Sequence, residues 1–155
     1  PSFYACRAKK ALLDRFLDRG EILEILPRVL SKHDTVLWRH VYDHAKSEPS
    51  KALACRYLID DSLSNLPFMA TWEGFSDKQF LDKLVEAKKL WRYAYSEVAN
   101  ATSDSESLKQ STDNRLRQTL RQLQSTGAPN PTRIDKLRQA IEDQLSSDSS
   151  SRDNR

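Results

Sequence analysis

His40 and His44 stand four residues apart in a stretch of helical periodicity, so their rings share one face. Two imidazoles at that spacing can bind one zinc ion. A metalloprotease helix would place a glutamate directly after the first histidine to act as the base, and here Val41 takes that place. His33 or Asp43 could add a third ligand, but no cysteine pair accompanies them. The expectation is therefore a polar flank beside Trp38, Val41 and Tyr42, with no metal and no cofactor.

The carboxylate pair Asp60-Asp61 falls at an expected helix end. Adjacent helical residues do not share a face, so the pair is a poor general acid and base. No serine lies in a Gly-x-Ser-x-Gly elbow. With three glycines in the whole chain, no Gly-rich phosphate loop exists, which argues against nucleotide-fold chemistry. These features argue against an enzyme, and no small-molecule substrate is expected.

A third group mixes cations with rings. Lys88, Lys89, Arg92 and Tyr93 lie together, and Lys9 and Lys10 sit in a basic first helix. Cations beside stacking rings can hold RNA or another single-stranded nucleic acid. Trp91 and Tyr95, four apart on the apolar face, read as core. Tyr93 points elsewhere and is the better stacking candidate. The charge does not favour a strongly electrostatic binder. Lys+Arg against Asp+Glu is 16 to 14 over residues 1–100 and 9 to 8 over residues 101–155, with no basic block.

The elements that must position these groups are all helical. No segment alternates apolar and polar residues for the length of a strand, and helical spacing recurs instead. Residues from about Ser2 or Ala5 to Arg19 make a first helix, with Gly20 as its left-handed cap. Glu21–Ser31 carries Pro27 and reads as a kinked or two-piece element. Asp34 caps a helix through Ala45. Pro49 ends that stretch, and Ser50 opens another helix to about Asp61. Residues 62–75 read as an irregular connector anchored by Leu66, Phe68, Trp72 and Phe75. Ser76 and Gln79 form a capping-box pattern at the head of the longest helix, about Asp77 to Ala99, the expected central strut.

All thirteen aromatic residues, both cysteines and all three histidines fall before residue 96. The sequence thus divides into an aromatic-rich bundle of about five helices over residues 1–100, a polar hinge and helical hairpin over 101–145, and a tail over 146–155 expected to be disordered. The hairpin breaks at Ser125–Pro131. Its stripes, Leu116, Leu120 and Leu123 on one helix and Ile134, Leu137 and Ile141 on the other, are thin for free-standing helices, which are marginal in water. They are the expected interaction surface. The reading is an all-α interaction or assembly module acting through a protein partner or self-association, with nucleic-acid binding as the alternative. No apolar run reaches the ~18 residues of a membrane span. Cys6 and Cys55 in apolar patterns suit a reduced, intracellular setting, cytoplasmic or nuclear.

Overall fold

A computed structural model describes residues 3–17, 22–101, 107–125 and 131–153, with side chains at 7–15, 17, 26–101, 107–125 and 131–147. Among the described residues there are eight helices and no strand, as the periodicity requires. They are α1 (Phe3–Phe16), α2 (Ile22–Val29), α3 (Thr35–His44), α4 (Glu48–Thr71), α5 (Asp77–Ala94), α6 (Glu97–Asn100), α7 (Leu108–Ser125) and α8 (Pro131–Asp153). The Gly20 cap, most of the Ser/Asp hinge and residues 126–130 of the hairpin break lie outside the described residues.

The axis of the molecule is α4, not α5. It contacts α2, α3, α5, α6, α7 and α8. Ser47, rather than Ser50, caps it: the Ser47 hydroxyl accepts the Ser50 N–H at 3.3 Å, and Pro49 lies in the first turn, where its missing N–H costs nothing. The expected connector over 62–75 is helix as far as Thr71, straight through Pro67. An interior proline costs about 3 kcal/mol. Leu63, Leu66 and Met69 are buried on the same segment, and each fully buried side chain of this size returns about 1.5–3 kcal/mol. Burial outweighs the lost hydrogen bond. Pro27 is likewise held inside a single helix, α2.

The long helix expected over 77–99 is divided. Its capping box forms as expected, with Ser76 and Gln79 exchanging hydrogen bonds. At the other end Ser96 takes the chain out of the helix. Its hydroxyl donates to the Tyr93 carbonyl at 2.6 Å and accepts the Ala99 N–H, so it ends α5 and caps α6. Asn100 then ties α6 to both neighbours, donating to the Ala94 and Ser96 carbonyls and accepting the Lys109 N–H.

The core does not stop at residue 100. One cluster of buried apolar side chains runs from Leu13 to Leu145 and includes Leu116, Leu123, Ile134, Leu137 and Ile141. The two hairpin helices pack on α4 and on each other, and both also touch α5. The described part of the tail is helical as well: α8 continues to Asp153, past Leu145, the last apolar residue. Extending a formed helix adds one hydrogen bond per residue and needs no apolar side chain. No described helix is long and apolar enough to cross a membrane.

Candidate functional site

Among the described residues, the most exposed aromatic surface lies where α4 ends. Phe68 and Trp72 are four residues apart, so they share a face of the last α4 turn. They are 54% and 52% exposed, among the largest apolar side chains left in solvent. The rings stack at 5.5 Å and 25°. Phe75, three residues on, lies nearly perpendicular to both rings, 4.9 Å from Trp72 and 6.1 Å from Phe68. Aromatic pairs in these geometries are worth about 0.5–1.5 kcal/mol beyond area burial, so the rings order each other. Gly74 lies under the Trp72 indole: a Cβ there would sit 2.6 Å from the ring. The absent side chain lets the indole fold over the loop.

A buried arginine fastens this turn. Arg133, 7% exposed, projects from the first turn of α8. Its guanidinium donates to the carbonyls of Met69 (3.0 Å), Trp72 (3.3 Å) and Phe75 (2.6 Å), and its Nε bonds Asp77 at 2.8 Å. The planar fork of arginine suits such convergent acceptors, and the end of α4 needs donors for its last carbonyls. One side chain thus satisfies the α4 terminus, the loop and the head of α5. The sequence reading did not single out Arg133. Its signal was its register: 133, 137, 140 and 141 fall on one face, so an arginine stands on the inward stripe of α8.

The expected interaction stripes are not a surface. Leu116, Leu137 and Ile141 are fully buried, Leu123 and Ile134 nearly so, and Leu120 is partly buried against the same core. Thin stripes on two helices are enough to cover an apolar helix already ordered by the rest of the bundle.

The nucleic-acid candidates separate. Lys10, Lys88, Lys89 and Arg92 are exposed, with Lys89 3.5 Å from Glu86. Lys9 instead pairs with Asp34 at 3.0 Å, joining α1 to the start of α3. Tyr93 is half-buried: it donates its hydroxyl to Glu48 at 2.7 Å and meets the edge of Tyr42, and the Lys51 ammonium lies about 5 Å from both rings. Burial and then the Glu48 carboxylate push the Tyr93 hydroxyl far above its ordinary pKa. It is a packed tyrosine, not a free stacking ring. Helices α1 and α5 share no contact among the described residues, so the two cation groups are not brought together.

His40 and His44 do share a face, with rings 4.5 Å apart, but His40 is held by Asp14 at 2.6 Å. No group of three or more metal-ligating side chains occurs among the described residues. Asp60 pairs with Arg115, and Asp61 accepts from Asn65. Burial raises the Cys55 thiol to about 12, so it is protonated and unreactive at neutral pH.

No protein-family model, no curated protein and no solved structure matches the chain.

Proposed function

We propose that the chain is a non-enzymatic helical interaction module, and that its contact face is the Phe68–Trp72–Phe75 cluster rather than the hairpin stripes. One observation carries this: two large rings remain more than half exposed while stacked in a turn that a buried arginine holds rigid. Exposed apolar patches on a folded protein mark contact surfaces. Tryptophan and arginine are enriched where contact energy concentrates, and a pre-ordered face loses little entropy on binding. The free, buried Cys55 thiol fits a reduced, intracellular setting.

The test is a photo-crosslinking amino acid placed at position 72, with the exposed position 124 of α7 as control, irradiated in cells that make the protein. A discrete adduct from position 72 and none from 124 is the expected result. An adduct at the dimer mass identifies self-association, and any other mass a second protein. No adduct, or equal labelling from both positions, overturns the reading.

The exposed Lys88, Lys89 and Arg92 on α5 favour nucleic-acid binding as a second reading. It requires affinity for single-stranded RNA that falls steeply with salt and drops when these three cations are replaced. Binding unaffected by their replacement removes it.

A further inference from the structure

Helix α7 is unusual among the core helices because two of its inward positions are threonine. Thr112 and Thr119 are both buried, between Leu108, Leu116 and Leu123. Thr119 behaves as a buried helical threonine ordinarily does, donating to the Arg115 carbonyl at 2.9 Å. The Thr112 hydroxyl makes no hydrogen bond, although Thr112 is only 2% exposed. Valine would fill the same space without leaving a polar atom unpaired. Stability alone therefore does not account for threonine at this position.

Thr112 lines a groove of about 480 Å³ between α4 and α7. That volume lies within the range of small-molecule sites. One wall is apolar: Leu53, Tyr57 and Ile59 from α4, with the Tyr57 ring fixed by stacking on Trp38 at 4.2 Å. The other side is polar and cationic: Ser111, Thr112 and Arg115 from α7 face Arg56 from α4. Arg115 is held in place. Its Nε bonds Asp60 at 2.9 Å, and its terminal nitrogens donate to Thr119 and Ser64. A guanidinium carries five N–H groups, so those three bonds leave it donors to spare. Arg115 keeps these spare donors at the polar edge of the groove.

We infer that this groove binds a small organic oxyanion, a phosphate or carboxylate carried on a flat apolar body. The body lies against Leu53, Tyr57 and Ile59. The oxyanion meets the spare N–H groups of Arg115. The Thr112 hydroxyl, turned into the groove by one χ1 rotation between wells open to a helical threonine, donates to it. Binding supplies the partner that the free protein lacks. The site is independent of the aromatic face at the end of α4.

The test is NMR titration of the 15N-labelled full chain with phenyl phosphate, benzoate and, as the uncharged comparator, phenol. Saturable shifts of the 111–119 amides and the Arg115 Nε–H, with a Kd of about 1 mM or tighter for one of the oxyanions and none for phenol, are expected. The tighter oxyanion identifies the headgroup. Thr112→Val should weaken binding about three- to tenfold, the worth of one hydrogen bond, and raise the melting temperature of the free protein. Thr112→Ser, which keeps the hydroxyl, should bind like the parent. The inference fails if neither oxyanion gives saturable shifts in these residues, if phenol shifts them equally, or if the shifts centre on Lys88, Lys89 and Arg92. It also fails if Thr112→Val leaves affinity unchanged or lowers the melting temperature, because the hydroxyl would then already have a partner.

Discussion

The hairpin stripes and the turn after α4 are both apolar, yet one is sealed and the other faces water. Leu116, Leu137 and Ile141 are fully buried, while Phe68 and Trp72 keep more than half their surface. The hairpin helices have no stability to spare and gain it by lying along α4. The aromatic turn needs no such cover. Its backbone carbonyls are bonded by Arg133 and its rings pack on one another, so it holds its shape with one face open. Buried apolar groups here serve folding, and exposed ones held by a polar clamp are free for contact.

Truncations in the two regions should separate them most widely. Leu137→Ala removes a fully buried side chain and should cost about 2–5 kcal/mol in chemical denaturation. If it instead leaves stability intact and changes association, the hairpin is a surface after all. Arg133→Met probes the clamp. It leaves the Met69, Trp72 and Phe75 carbonyls without this donor and Asp77 without its cation, and should cost about 2–4 kcal/mol. Near-UV circular dichroism should lose the part of its aromatic signal that comes from the Phe68–Trp72–Phe75 cluster. Unchanged spectra would mean that the rings order themselves.

Acid perturbs a contact that belongs to neither region. Burial opposes ionisation of Asp34, but the Ser31 N–H and Lys9 outweigh it and hold the carboxyl below its ordinary value. Its folded pKa lies below its unfolded one. The stability it contributes is thus complete above about pH 4 and is lost as pH falls through the folded pKa. Asp34→Asn should cost about 1.5 kcal/mol at neutral pH and flatten this acid limb. A limb of unchanged slope assigns acid sensitivity elsewhere.

The smallest stability effects should come from the exposed face itself. Gly74→Ala must displace the Trp72 ring, which can swing into solvent, so the cost should stay below about 1 kcal/mol while acrylamide quenching of tryptophan fluorescence rises. Trp72→Ala should change stability by less than about 1 kcal/mol, because the side chain is half in water already. A loss comparable to Leu137→Ala would place Trp72 in the core and end the contrast.

Much of the architecture was legible along the chain. Helical spacing announced the all-α class, and Ser76 and Gln79 announced a helix start that formed. The misreadings concern competition between local and distant terms. Pro67 and the aromatic residues around it resembled a connector because local rules penalise proline, and the burial that overrode the penalty depends on residues far along the chain. Ser96 looked like one more position in a long helix. Its role as stop and cap depends on where the Tyr93 carbonyl and Ala99 N–H come to lie. Arg133 was visible only as a cation in an apolar register.

What the sequence determined by itself was the period of each element, the capping box and the scarcity of apolar material after residue 100, because these depend on neighbours within a few residues. Tertiary structure alone decided which apolar residues are covered. Whether a leucine on a thin stripe or a tryptophan at a turn faces water is set by the surface that reaches it from elsewhere. Here α4 offered a face to the hairpin, and Arg133 removed the need to cover the rings.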